Sequence, residues 1–306
     1  MTKHKPVLLT QTIELLEPQR GASYIDATLG GGGHAMLLLE AMSEGTLMAI
    51  DQDSAAIGMF IELLETKKWQ KSGDDEFSKG KLKLILQRGN FKDIKEFAQM
   101  HKLTNIKGIM ADLGLSSDQL EDTARGFSFM TEGELDMRMS DDIQVKAKDL
   151  VNGLYKKELN KLFEMYGDLE FADRLVNKIL DFRKEQPITT AAQLKDIIRK
   201  VVPASMRTKI RNPEARVFQA LRIAVNDELN SLKQLLENGF DLLDHGGRMA
   251  VISFHSGEDR IVKTFFKSEI EGGNAEQVTE LLRPESLEIL ENSRSSSAKL
   301  RAIAKI

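Results

Sequence analysis

The stretch YIDATLGGGGHA, residues 24–35, governs how the rest of the chain is read. An apolar run closes on an aspartate, four consecutive glycines follow, and a histidine opens the next segment. Backbone without Cβ atoms turns sharply and lets a ligand lie directly against it. The spacing predicts a strand over 24–27, a tight turn, and a helix over 34–42.

Outward from that point the same grammar repeats. Residues 47–50 read as a second strand ending at Asp51, and 54–66 as a helix. A third strand is expected over 82–87, a helical stretch over 91–101, and a fourth strand over 106–111 that ends at Asp112. Strands alternating with helices predict an α/β fold with a parallel sheet covered on both faces, doubly wound because crossovers are right-handed. Residues 69–80 read as an exposed polar loop. After Ser116 the alternation stops, and 141–208 carries apolar residues only at helical spacing. One long amphipathic helix over 215–238 then leads to the strand RMAVISF, 248–254. The organisation expected is a sheet domain made of 1–140 and 209–306, interrupted by an all-helical insertion over 141–208.

Composition narrows the class. The 306 residues are 41% hydrophobic and 29% charged, as in an ordinary globular protein. The absence of cysteine rules out disulfides and thiolate metal sites, and five scattered histidines lack metal-ligand spacing, so no metal is expected. The first residues lack the apolar core of a secretory signal, and no window suits a membrane span, which points to a cytoplasmic protein without a membrane partner. The net charge of −4 argues mildly against a nucleic-acid partner, but its distribution is uneven. Residues 195–216 hold Lys195, Arg199, Lys200, Arg207, Lys209, Arg211 and Arg216 against Asp196 and Glu214. The tail from Asn292 holds Arg294, Lys299, Arg301 and Lys305 with no acid. Both stretches suit a phosphate backbone, and both equally suit a solvated helix face and a soluble tail.

Two cofactor classes use a glycine turn between the first strand and first helix. Gly30, Gly32 and Ala35 satisfy the dinucleotide pattern, with Asp51 at the distance expected for a ribose contact. S-adenosylmethionine lies in the same crevice with the same ribose requirement, so the glycines alone leave both open. Asp26 discriminates better. At the end of the first strand its charge repels a pyrophosphate but attracts the ammonium and sulfonium of S-adenosylmethionine. Asp112 adds a second acid to that rim. The competing explanation for both is a turn or helix-capping aspartate, and for His34 a local loop hydrogen bond.

Five segments carry a resemblance. DATLGGGGH (26–34), DLGLSSDQL (112–120), RGFSFMTEGELDMRM (125–139), FQALRIAVNDEL (218–229) and SFHSGEDRIVK (253–263) closely resemble the RsmH family, also called MraW. Its members are S-adenosylmethionine-dependent methyltransferases acting on N4 of a cytosine in the decoding region of bacterial 16S ribosomal RNA. The resemblance spans Lys5 to the tail. It implies a class I methyltransferase domain, a Rossmann-like doubly wound sheet, with a helical insertion that recognises RNA. It also implies cofactor contacts at Gly32, Gly33, His34, Asp51, Phe91, Asp112 and Gln119. Phe91 would lie against adenine and Gln119 would reach the amino-acid end. The chain departs from the family at Glu134, where proline is usual, at Gly257, where leucine is usual, and at Ser293 within an Asn-Pro-Arg motif.

The amine of cytosine is a poor nucleophile, so alignment is the enzyme's main task. Asp112, Ser116 and the backbone carbonyls between them are the candidates for holding the amine hydrogens. Phe127, Phe129, Met130, Met137 and Met139 form either a lid and base-stacking wall or ordinary packing. His255 would end a late strand on the same carboxyl edge, to touch the nucleotide or to serve structure. Arg207, Lys209 and Arg211 would meet phosphates. The implied partner is 16S ribosomal RNA within the small subunit or a late assembly intermediate, with a homodimer left open. A dinucleotide-dependent oxidoreductase and a non-catalytic ribosome-binding module are the competing functions.

Overall fold

Apolar runs of the first third of the chain become strands buried on both faces, as a parallel sheet under two helix layers requires. The computed structural model describes residues 6–306 apart from 117, 118, 121, 124, 131 and 203–211. Helix α1 (Leu9–Leu16) precedes β1 (Ala22–Asp26), all five of whose residues are buried. Then come α2 (Gly33–Ala41), β2 (Gly45–Asp51), α3 (Ser54–Thr66), β3 (Gln70–Lys71), β4 (Glu76–Lys79), β5 (Leu82–Arg88), α4 (Ile94–Met100) and β6 (Ile106–Asp112). Strand β1 pairs in parallel with β2 on one side and β6 on the other, and β2 pairs in parallel with β5.

Residues 69–80 are not a polar loop. Strands β3 and β4 form an antiparallel hairpin that extends the sheet from β5. Trp69 and Phe77 are buried with Leu64 and Leu84 in one core, while the charged residues between them line an edge strand, where charge discourages further pairing.

The chain divides into two compact units, residues 1–116 with 229–306, and residues 117–228. The second unit contains α5 (Ala147–Gly153), α6 (Lys156–Gly167), α7 (Ala172–Glu185), α8 (Ala191–Val201) and α9 (Pro213–Asn226). Its core includes Leu159, Phe163, Val176, Ile179, Leu194, Val217 and Leu221. The unit is wider than the 141–208 segment. At its C-terminal end the reason is clear: α9 packs on α6, α5 and α8. The single helix expected over 215–238 is broken at Asp227, whose φ of 50° is left-handed. Apolar periodicity continues across the break, which hides it from the sequence. Phe127, Met137 and Met139 are buried within this unit, and Phe129 meets Phe218 edge-on with ring centroids 6.0 Å apart. Only Met130 of that expected stacking wall is largely open, at 73% exposure. Arg199 pairs with Glu214, and Arg216 donates to the carbonyls of Gly167 and Asp168, so part of the basic stretch is engaged internally.

After α10 (Glu228–Leu242) the chain returns to the sheet with β7 (Arg248–Ser253), α11 (Ser256–Glu271), β8 (Ala275–Gln277), α12 (Ser286–Glu291) and β9 (Lys299–Lys305). Among the described residues the sheet has nine strands, in the order β3-β4-β5-β2-β1-β6-β7-β9-β8. The central run β5-β2-β1-β6-β7 is wholly parallel and follows the doubly wound Rossmann-like order, with the switch point beside β1. Period two along each strand separates the cores: Tyr24, Leu47 and Ile252 face one layer, Ile25, Met48 and Val251 the other. Among the described residues no helix is long and apolar enough to cross a membrane, and no His, Cys, Asp or Glu group could hold a metal ion.

The basic tail is not a free arm. Strand β9 runs antiparallel between β7 and β8 and buries Leu300, Ala302 and Ile303. Its cations turn inward: Lys299 and Arg301 grip Asp259 at 2.7 and 2.9 Å, and Lys305 donates to the carbonyls of Phe240 and Asp241 at 2.9 and 3.0 Å. A chain ending at Ala298 would therefore strip one edge of β7 and empty part of both cores. The expected outcome is loss of the cooperative thermal transition of the sheet unit, followed by circular dichroism; an unchanged midpoint would mean that the strand contributes nothing.

Candidate active site

In a doubly wound sheet, ligands sit outside the carboxyl ends of the strands at the switch point. Here that edge is acidic. Adjacent strands β2, β1 and β6 end in Asp51, Asp26 and Asp112, and Glu258 stands in the first turn of α11 behind β7. Thr28 ties two strand ends together. Its amide donates to Asp26 Oδ1 at 3.0 Å, and its hydroxyl accepts from the Asp112 amide at 2.6 Å.

The acids are costly where they stand. Asp26 is 1% exposed, and its Oδ2 is buried without a hydrogen-bond partner. Burial lifts its pKa to about 7; the Thr28 amide pulls it down and the Asp51 charge adds to the lift. Asp112 Oδ1 is likewise sealed and unpartnered. Burial, then the charges of Asp26 and Glu258, hold Asp112 well above the ordinary carboxylate range. Asp51 is raised to about 6 by burial, although its oxygens accept from the Asp53 and Gly30 amides at 2.9 and 2.8 Å. Among the described residues no lysine or arginine figures among the charges acting on Asp26 or Asp112. Buried carboxylates without a basic partner favour a ligand that brings positive charge.

The glycine turn is more tightly enclosed than its composition suggests. A Cβ at Gly32 would lie 2.1 Å from the Phe60 ring, and one at Gly33 would lie 2.1 Å from Pro6. These two glycines are bare because protein packs onto them. Gly30 has room: its φ is 48°, and the nearest atoms to a Cβ there are the Thr28 carbonyl at 3.9 Å and Ser116 Cβ at 4.0 Å. Asp112 and Ser116 thus both belong to the edge that the turn faces. His34 is buried at the start of α2, with Nε2 donating to the Val7 carbonyl at 3.1 Å and Nδ1 3.7 Å from Asp112 Oδ2.

Other expected site residues fall differently. Phe91 opens a single 3-10 turn after β5 and is half-buried against the second core, in line with an ordinary packing aromatic. Gln119 is a half-buried helical residue of the 117–228 unit. Arg207, Lys209 and Arg211 lie outside the described residues. His255 does stand at the end of β7, but as the cap of α11: its Nδ1 accepts from the Gly257 and Glu258 amides at 3.1 and 3.3 Å. Glu258 reciprocates by accepting from the amides of Phe254 and His255 at 2.8 and 3.2 Å. The structural reading of this histidine is the one with observed contacts. Thr28 and Glu258 escaped the sequence reading. The spacing His255-Ser-Gly-Glu258 is that of a capping box, a signal that was available.

A family model described as the MraW methylase family matches residues 1–306. A Ribosomal RNA small subunit methyltransferase H from Lactobacillus johnsonii is 40% identical over 320 residues, covering 99% of each chain. A protein of the same name from Thermomicrobium roseum is 41% identical over 322 residues, covering 100% of this chain and 94% of that one. Among solved structures, an rRNA methylase from Streptococcus thermophilus superposes with a TM-score of 0.46 at 10% identity, covering 99% of this chain and 98% of that one.

The acidic edge makes a stability prediction. Asp26 binds its proton more tightly folded than unfolded, so the stability it contributes is complete below pH 3.8 and is lost as pH rises to about 7. Asp26→Asn abolishes that loss. In ligand-free protein its stability should match the parent near pH 4 and exceed it near pH 8, by on the order of a few kcal/mol at most. Thermal scans across that range check it, and a variant that is less stable near pH 8 would contradict the assigned burial cost.

Proposed function

The chain belongs to the MraW methylase family, and from that premise we propose that it methylates the exocyclic N4 of a cytosine in the decoding region of bacterial 16S ribosomal RNA. The methyl donor is S-adenosylmethionine, and the reaction takes place in the cytoplasm on the small subunit or a late assembly intermediate. The observation that carries the donor assignment is the pair of buried carboxyls, Asp26 and Asp112, each with an oxygen that has no hydrogen-bond partner. A ligand with an ammonium and a sulfonium relieves their mutual repulsion, whereas a pyrophosphate would deepen it. That contrast counts against the dinucleotide oxidoreductase.

When bound, S-adenosylmethionine supplies a methyl group already activated by the positive sulfur. The chain's own residues do the rest. Asp26 and Asp112 provide the countercharge, and the Gly30 to Gly33 turn provides the bed. Asp51 is fixed by the amides of Gly30 and Asp53. The Gln52 amide acts on it as well, and with about four acceptor sites the carboxylate keeps capacity for a ribose hydroxyl. Phe91 flanks the adenine, and the backbone of Gly32, Gly33 and His34 completes the cofactor contacts. Asp112, Ser116 and the carbonyls between them hold the amine so that its lone pair points at the methyl carbon. Such alignment contributes on the order of 7–11 kcal/mol in favourable cases.

The helical segment 141–208 and the basic residues that follow it take the RNA, with Arg207, Lys209 and Arg211 on phosphates and His255 beside the nucleotide. The target base must be unstacked or presented single-stranded. An intact acidic edge in a whole-length family member counts against a merely non-catalytic binding module.

The expected outcome of a thermal-shift experiment is stabilisation by S-adenosylhomocysteine, about 2.7 kcal/mol at a hundredfold excess over Kd, and none by NAD. Small subunits from a strain lacking the protein should lack one N4-methylated cytidine on nucleoside mass analysis, and purified protein should restore it. Stabilisation by NAD alone would overturn the donor; unchanged nucleosides would overturn the target.

A further inference from the structure

We propose that Asp112 is the base of the reaction, taking the amine's proton on Oδ2, and that His34 is the positioning residue that governs that oxygen. The inference rests on the function proposed above and assigns the step that alignment leaves unexplained. When the amine is methylated, its lone pair becomes the new nitrogen–carbon bond. The electron pair of the carbon–sulfur bond stays on sulfur. The positive charge thereby moves from sulfur to nitrogen, and the nitrogen becomes neutral again only by giving one hydrogen to a base.

Geometry selects the atom. Asp112 Oδ1 is sealed from solvent, yet the side chain keeps 21% of its surface, so the accessible oxygen is Oδ2. That oxygen lies 3.7 Å from His34 Nδ1, too far for a hydrogen bond and close enough for an ion pair. The ring's proton is fixed elsewhere: Nε2 faces the Val7 carbonyl at 3.1 Å and must carry the hydrogen, which leaves Nδ1 as the acceptor. Two acceptors face each other across the gap, and a proton arriving on Oδ2 turns their repulsion into attraction. The Val7 carbonyl is itself held in place. Pro6 fills the space beside Gly33, and the Leu8 amide donates to Glu288 Oε1 at 2.8 Å.

Charge supplies the timing. Asp112 faces Asp26 from β1, Glu258 from α11 and His34 from α2. The two acids favour its protonated form, so without ligand it tends to hold a proton. A sulfonium beside it favours the carboxylate and releases that proton. Methyl transfer removes the sulfur's charge, and the proton affinity of Asp112 climbs back just as the nitrogen has a proton to give. The base is therefore ready only while the reactive donor is present.

Calorimetry in buffers of different ionisation enthalpy reads this without turnover, because it counts protons released on binding. S-adenosylmethionine should release roughly one proton more per site than S-adenosylhomocysteine near neutral pH, since the two differ by the sulfonium charge. Asp112→Asn should erase most of the difference and cost roughly a hundredfold or more in kcat. His34→Gln keeps a donor for Val7 but removes the titratable ring. It should move the acid limb of the kcat profile to lower pH, because protonated Asp112 loses the acceptor that favours it. Equal proton counts for the two ligands in the parent protein would overturn the proposal whether or not any variant folds. So would a difference that persists in Asp112→Asn. Failure of either ligand to bind at all would instead sink the methyltransferase reading itself.

Discussion

Three carboxyl groups, one buried and two half-buried, at the ends of three neighbouring parallel strands are the constraint around which this fold is organised. Asp51, Asp26 and Asp112 close β2, β1 and β6. The strands must be apolar on both faces, because helices cover each side, so every one of them delivers its acid straight from the core to the sheet edge. In most settings such groups would be paired with bases or left in water. Here the shortfall is met only in part by backbone amides, at Thr28 for Asp26 and at Gly30 and Asp53 for Asp51. The unfavourable electrostatics persist because apolar burial by Tyr24, Ile25, Met48 and Ile109 over-determines the strand positions.

The glycine turn contributes rigidity as much as space. Phe60 from α3 closes over Gly32, and Pro6 closes over Gly33. Neither position would tolerate a side chain even without a ligand. The turn is clamped from both sides, while Gly31 stays exposed and Gly30 and Gly33 half-buried. A clamped turn loses little freedom when something binds to it, which is what preorganisation requires.

What the sequence discloses depends on how far a residue's partner lies along the chain. Strands such as β1 and β2 announce themselves by local period, and their terminal acids by position, so the doubly wound order and the acidic rim were both legible. The hairpin of β3 and β4 was not, because Trp69 and Phe77 are diluted by charged neighbours. Strand β9 looked like a soluble tail because its cations alternate with apolar residues, and the carboxylate that neutralises Lys299 and Arg301 sits at Asp259. The break at Asp227 leaves the amphipathic pattern of α9 and α10 uninterrupted; only the packing of α9 on α6 tells which unit it serves. At the site the acids could be named, whereas the Thr28 hydrogen bonds and the enclosure of Gly32 and Gly33 depend on neighbours that no local pattern identifies.

Internal use of cations also changes how the net charge of −4 bears on an RNA partner. Lys299, Arg301 and Lys305 serve β9, and Arg199 and Arg216 hold α9 within the helical unit. These five cations of the two basic stretches are thus engaged within the protein. Of the 47 acidic residues, only Asp26, Asp53, Asp136 and Glu258 are buried among the described residues, so most of the negative charge stays on the surface. Beyond a Debye length of about 8 Å in physiological salt, exposed charges act only locally. A short basic segment can therefore attract a phosphate backbone to a protein that is acidic overall.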